Sequence, residues 1–336
     1  MSTFKTLLSG RSRALVRWEF GLVLLLIATM IFGANESKYF LGWQTFFFAG
    51  LNFGEIAIMA LPMTLIIITG EIDLSVASML GLSASLLGYL FIHGWNIWLA
   101  MGICLIVGIL GGALNGALIT ILGLPSIAVT IGTLTLYRGI ALIVLGSNTA
   151  QGFPVSFTKL SLPIAHTHIA WDFAIFIVLA LIFGVVLHST ALGRSIFAIG
   201  LQPETAFFSG IRVKRIKFSL YVVSGLISAF AGLLYTFQQS SSASDTGLGL
   251  ELNVVAIALF GGISIFGGRG TIIGVVLAVC VFGSLQASLT AINVSAQAQN
   301  IVTGCLLLVS VLLPNLTQSF SGTKRKLQRR KVVGTQ

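Results

Sequence analysis

Apolar residues run along this chain in long unbroken stretches, and polar residues gather in short breaks between them. The stretches fall near 19–33, 46–68, 74–92, 97–121, 126–145, 171–188, 218–238, 252–267, 271–290 and 298–314. Most approach the roughly 20 apolar residues that a helix needs to cross a bilayer. They are too long and too uniformly apolar for barrel strands, so the predicted fold is all-α, a polytopic transmembrane helical bundle of about ten spans. An even count places both termini on one side. The glycine-interrupted stretch "LFGGISIFGGRGTIIG" between the eighth and ninth runs is open to three readings: a tight turn, a re-entrant element or a helix kink.

Composition agrees with the pattern. Of 336 residues 56% are hydrophobic and only 8% charged, and the mean hydropathy of +1.01 excludes an ordinary water-soluble domain. The net charge of +10 is informative through its distribution. Basic residues cluster at Lys5, Arg11, Arg13 and Arg17, in the loop Arg194 to Lys217, and from Lys324 to Lys331, whereas the opposite loops carry only Lys38 and Lys159. The positive-inside rule makes the first set cytoplasmic and points to membrane topology, not to nucleic acid. The expected organisation is a basic cytoplasmic tail over 1–18, a transmembrane domain over 19–316 with an inner loop at 189–217, and a second basic tail over 317–336. No convincing small-residue cleavage site follows the first run, which reads as a retained span.

Candidate chemistry is sparse. Cys104, Cys280 and Cys305 lie in apolar runs without metal-ligand spacing and read as packing residues. His166 and His168 share an outer polar loop with no further ligands, so no metal is assigned. "GGRG" at Gly267 to Gly270 is too short for a dinucleotide fingerprint, and the sequence has no G-x-x-x-x-G-K-[ST], H-E-x-x-H or G-x-S-x-G. The pattern implies no cofactor and no enzyme. Ionisable groups within the runs are limited to Glu55, Arg138 and Asp172; Glu55 reads as a buried carboxyl, and Arg138 as a snorkelling or structurally paired side chain.

Within the inner loop, "QPETAFFSG" has the grammar of a two-turn helix. Pro203 suits the first helical position, Glu204 favours the positive end of the dipole, and Gly210 closes the helix in a left-handed conformation. So short a helix needs packing, and Phe207 and Phe208 offer the apolar surface. It either tucks onto its own bundle or the lipid, or forms a docking knob for a cytoplasmic subunit.

Four stretches in consistent order over residues 50–290 carry a resemblance: "TGEIDLSVASMLGLSA", "LPSIAVTIGTLTLYRGIAL", "ALGRSIFAIGLQPETAFFSGIRVKRIK" and "IALFGGISIFGGRGTIIGVVLA". Together they resemble the permease subunits of bacterial ATP-binding-cassette importers for simple sugars, the ribose-permease group of the branched-chain amino acid permease family. The resemblance implies ten spans and a bacterial inner-membrane location. It also implies cytoplasmic ATPase subunits, a periplasmic substrate-binding protein and a second permease, either a copy or a paralogue, embedded in membrane lipid. Gln202, Pro203, Glu204, Thr205, Ala206, Phe207, Phe208 and Gly210 would form the coupling helix that seats in the ATPase. The cargo would be a small sugar or sugar-like molecule of the ribose, rhamnose or autoinducer-2 type. Two positions depart from the family pattern: Glu71, where glycine is common before Ile-Asp, and Phe207 with Phe208, where smaller residues are frequent.

Glu71, Asp73 and Ser75 sit where a helix should begin at the inner rim. Asp73 is expected to cap that helix. Glu71 is left with three readings: favouring the dipole, pairing with a cytoplasmic base such as Arg194 or Arg269, or gating the inner mouth. Asn52, Asn115, Thr130 and Thr133 are the polar candidates for a translocation path, against interhelical or self-helix hydrogen bonding. Two other classes predict different behaviour: an ion-coupled secondary carrier would work without an ATPase, and a scaffold would bind partners without flux.

Overall fold

Helices account for nearly all of the secondary structure because the chain must satisfy its backbone inside a bilayer. The computed structural model describes residues 2–164, 167–295, 297–299, 301–306 and 308. Among the described residues twelve α-helices follow one another up to residue 291: α1 (Ser2–Glu36), α2 (Trp43–Ile68), α3 (Val76–Ile92), α4 (Ile97–Thr120), α5 (Ser126–Leu145), α6 (Val155–Thr158), α7 (Trp171–Ser189), α8 (Ala191–Leu201), α9 (Pro203–Phe208), α10 (Val213–Gln239), α11 (Leu250–Phe260) and α12 (Ile272–Ala291). Residues 301–306 are again helical, and the remainder of the expected last run and the tail 317–336 lie outside the described residues. One antiparallel pairing, β1 (Ala150–Gln151) with β2 (Ser241–Ser242), is an element the sequence pattern did not predict.

Among the described residues, seven helices are long and apolar enough to cross a membrane: the Trp18–Glu36 part of α1, and α2, α4, α5, α7, α10 and α12. Three shorter apolar helices, α3, α8 and α11, fall below that length. The basic segment expected as a tail is continuous with the first helix, since α1 begins at Ser2.

Burial separates an axis from a shell. The most apolar window of α2 is 94% buried, against 28% for α4, α5 and α7 and 17% for α1. Thus α2 is the core of the bundle, touched by α7, α10, α12 and α11. The outer faces of the shell show Leu110, Ile143 and Leu181, as lipid-facing surface should.

The tightest helix pair is α4 against α10, and small residues explain it. Gly108 and Gly112 are spaced four apart on α4 and face Gly225 on α10; a Cβ at Gly108 would fall 2.6 Å from the Gly225 carbonyl oxygen, and one at Gly225 would fall 2.8 Å from Gly112. Without side chains there, the backbones meet directly, which supplies dispersion contact where lipid offers no hydrophobic drive.

The ambiguous glycine-rich stretch is a loop. After α11 ends at Phe260, residues 261–271 turn back, with Gly262, Gly267, Gly268 and Gly270 at positive φ. These are conformations that glycine adopts without steric cost.

Candidate functional site

The inner end of the bundle is built from α8, α9 and the loops beside them. Thr190 starts α8, its hydroxyl oxygen accepting from the Gly193 N–H at 3.3 Å. At the other end Gly200 has no room for a side chain, because a Cβ there would overlap the Ile68 carbonyl oxygen at the end of α2. That same carbonyl accepts from the Gly268 N–H at 2.8 Å. The ends of α2 and α8 and the 261–271 loop therefore meet backbone to backbone.

α9 follows the predicted grammar. Pro203 occupies the first turn with Glu204 beside it. The helix stops in a Schellman arrangement: Gly210, at φ 83, donates to the Phe207 carbonyl at 3.0 Å, and Ile211 donates to the Ala206 carbonyl at 3.1 Å. Only Ala206 is buried; Gln202, Glu204 and Thr205 are exposed. Phe207 and Phe208 are 65% and 86% exposed, with ring centroids 5.7 Å apart. The helix is anchored by one alanine and stands away from its own bundle. Beside it lies a cleft of about 500 Å³ lined by Arg212, Arg215, Ser195, Ser209 and Ser219, among others.

At the inner rim the structure gives Glu71 and Asp73 specific partners. Glu71 forms an ion pair with Lys217 on α10, not with Arg194 or Arg269, because α10 begins five residues earlier than the hydrophobic pattern suggests and carries Lys217 to the 70–75 connection. Asp73 is not itself the N-cap residue of α3, but it accepts a backbone N–H at the entrance to that helix, as expected. The N-cap of α3 is Ser75, which makes no side-chain cap bond. Asp73 Oδ1 accepts from the Ser75 N–H at 3.0 Å and the Ser75 hydroxyl at 2.6 Å. Its Oδ2 accepts from the Ser224 hydroxyl on α10 at 2.8 Å.

The node extends further. Asn115 Nδ2 on α4 donates to Ser75 Oγ at 2.8 Å, and the Ile72 N–H reaches Ser126 Oγ on α5 at 3.4 Å. Asp73, Ser75 and Asn115 are all buried, so a fully satisfied polar cluster joins three helices to one connection. Thr130 and Thr133 are buried beside it and donate to their own helix at Ser126 and Val129, at 2.8 and 3.1 Å. Asn52 is elsewhere, exposed near the outer end of α2.

A second polar region surrounds Asn52. Residues 241–249 are not helical; they run inward along α3, with Ser242, Ser244 and Thr246 buried. Arg138 holds this segment, its Nη1 donating to the carbonyls of Thr246 at 2.7 Å and Ser244 at 3.3 Å, while Ser242 Oγ donates to Ala84 at 2.7 Å. Arg138 is thus structurally paired, not snorkelling. At Gly249, φ 85, the chain enters α11, whose 11 residues cover about 16 Å. A turn-built half and a helical half share one passage, an arrangement possible at membrane depth only where other groups satisfy the free backbone.

The turn-built half borders a cleft of about 620 Å³ lined by Asn52, Glu55, Tyr235, Gln238, Gln239, Asp245, Thr246 and Gln286, with Leu51, Ile56, Leu248 and Leu250. Glu55 is 2% exposed, and its Oε1 has no hydrogen-bond partner, as is true of both carboxyl oxygens of buried Asp172 on α7. Sequence reading missed most of these residues; the available signal was the polar run "QQSSSASDTGLGLE" between two apolar runs. Of the outer-loop histidines, His168 stacks on Trp43 at 4.4 Å, and His166 lies outside the described residues.

Comparison with known proteins agrees with this architecture. Residues 45–311 match the family described as branched-chain amino acid transport system, permease component. The autoinducer 2 import system permease protein LsrD of Klebsiella pneumoniae is 34% identical over 329 residues, covering 95% of this chain and 98% of that protein. The proteins of the same name from Escherichia coli K12 and Shigella flexneri are 35% identical over 326 residues, covering 93% of this chain and 96% of theirs. No solved structure matches the chain. With most of its length matched and its helices arranged for a membrane, the chain belongs to the permease-component family of branched-chain amino acid transport systems, as a transport subunit and not an enzyme.

Proposed function

We propose that the chain is the membrane-spanning permease of an ATP-binding-cassette importer in the bacterial inner membrane, forming the path for a small sugar or sugar-like molecule. The relatives named above are autoinducer 2 import permeases, which makes that compound the leading cargo, ahead of ribose or rhamnose. The family description's amino acids are a poorer match to a path with few charges.

The observation that carries the reading is α9. A two-turn helix that shows two phenylalanines to water on the basic side of a membrane protein is a knob without its socket, and an ATPase subunit supplies the socket. Gln202, Pro203, Glu204, Thr205, Ala206, Phe207, Phe208 and Gly210 form this coupling element. The ten-span topology follows if α3, the 241–260 passage and the last apolar run, 298–314, join the seven long helices. Both termini and the 189–217 loop then face the cytoplasm; the basic segment 1–18 and the tail 317–336 flank the 19–316 transmembrane domain. A periplasmic binding protein delivers cargo to the outer side, and a second permease copy or paralogue completes the pore within membrane lipid.

ATP-dependent uptake into proteoliposomes tests this, using the chain with its genomically adjacent ATPase, binding protein and any second permease, and labelled autoinducer 2, ribose and rhamnose. Saturable uptake that stops without ATP is expected. Uptake driven by an ion gradient with the ATPase absent would overturn the importer reading.

A further inference from the structure

The outer cleft is chemically one-sided. Its lining includes two carboxyl groups, Glu55 and Asp245, and four carboxamides, Asn52, Gln238, Gln239 and Gln286, but no Lys, Arg or His. Such a wall disfavours phosphorylated or carboxylated molecules, which would meet carboxylates with no balancing base.

Acceptor oxygens in this wall stand without donors. Glu55 Oε1 and Gln238 Oε1 are both buried and both without a hydrogen-bond partner. The Gln238 side chain is fixed by its amide, which donates to the Leu51 carbonyl at 3.0 Å, so its oxygen cannot turn away to find a protein donor. Glu55 is held from behind: Gly54 and Asp172 are in such contact that a Cβ at Gly54 would overlap the Asp172 side chain. Buried acceptors are normally satisfied, and two on one cleft are the arrangement that a donor-rich ligand completes. The cleft also adjoins the unwound half of the 241–260 passage, where the positive end of α11 begins at membrane depth.

The geometry points to this cleft as a cargo-recognition site in which Glu55 and Gln238 accept hydrogen bonds from the hydroxyl groups of a neutral polyhydroxylated molecule. The assignment rests on the importer reading and deepens it by naming the residues that read the cargo and the class of cargo they favour. Few apolar walls are needed for such a ligand, and Tyr235 offers a ring against which its carbon face can rest.

The test is transport by the complete complex in proteoliposomes at saturating, cargo-loaded binding protein, so that the binding protein's own affinity drops out. Labelled autoinducer 2, ribose and rhamnose serve as probes, and the readout is cargo moved per ATP hydrolysed. Glu55→Leu and Gln238→Leu should each lower that ratio by about tenfold, the size of one lost hydrogen bond in the transit state. Glu55→Gln, which keeps an acceptor oxygen, should stay within about threefold of the unmodified chain. Co-purification of the ATPase with each variant reports that the permease is folded. Ratios unchanged in both leucine variants overturn the site while leaving the importer reading intact. Equal loss in Glu55→Gln and Glu55→Leu overturns the hydrogen-bonding role. If the unmodified complex moves none of the probes, it is the importer reading that has failed.

Discussion

Replacing Asp73 separates a structural node from a gate. The side chain is 2% exposed and accepts three hydrogen bonds, from the Ser75 N–H, the Ser75 hydroxyl and the Ser224 hydroxyl. In Asp73→Ala the Ser75 N–H is left buried without its acceptor, which costs roughly 1–3 kcal/mol, and each hydroxyl gives up a bond worth about 1 kcal/mol. The sum is about 3–5 kcal/mol, or a fall of roughly 10 °C in Tm at the usual conversion for chains of this size. Ser224→Ala removes one donor and should lower Tm by about 4 °C. Because Ser224 has already lost its acceptor in Asp73→Ala, the double variant should be no less stable than Asp73→Ala alone. The assay is loss of monodisperse protein on size-exclusion chromatography after heating in detergent. Shifts that simply add in the double variant would show that the two side chains do not share a bond. Asp73→Ala with unchanged Tm but abolished uptake would make Asp73 a gate and refute the structural node.

Other perturbations test other levels of the structure. Phe208→Glu, at a side chain 86% exposed, should leave membrane insertion intact and cut ATPase co-purification at least about tenfold, as loss of an aromatic anchor does; Gly210→Val should do the same by straining a φ of 83°. Gly112→Ala places a methyl into the Tyr221 carbonyl on α10, whereas Gly102→Ala meets nothing within 4 Å. The first should lower Tm by several degrees, from about 1–3 kcal/mol of overpacking, and the second should not lower it. Arg138→Leu frees the Ser244 and Thr246 carbonyls, and faster hydrogen exchange or proteolysis confined to 241–249 is the expected result. Exchange unchanged there would mean that the other contacts hold the passage alone.

What the sequence disclosed was local. Pro203, Glu204 and Gly210 specify α9 through interactions within a few residues, and the structure ends the helix as that grammar requires. The apolar runs located α2, α4, α5, α7 and α12 to within a few residues, because hydropathy is a property of each residue by itself. Pairings across the chain were not legible. Asp73 finds Ser224 151 positions away, and Glu71 finds Lys217 at a separation of 146; nothing near either acid announces its partner. The polar stretch 239–251 resembles an outer loop by composition, and distant partners such as Arg138 and the Ala84 carbonyl on α3, which accepts from Ser242, hold it folded inward. Thr130 and Thr133 show the converse, since their hydroxyls are already engaged by their own helix.

The join at Gly200 has a mechanical meaning. With no side chain between α8 and the Ile68 carbonyl, and with Gly268 fastened to that same oxygen, the joint contains no soft material to absorb a displacement. A push or pull delivered to α9 reaches α8 through the single residue Gln202 and passes from α8 into the end of α2 as from one rigid rod to another. α2 continues from there, past Pro62, to Asn52 and Glu55, so under the proposed coupling role a movement imposed at α9 would be carried toward the outer cleft. A bulky residue at position 200 would leave the lever and the load in place and throw away the linkage between them.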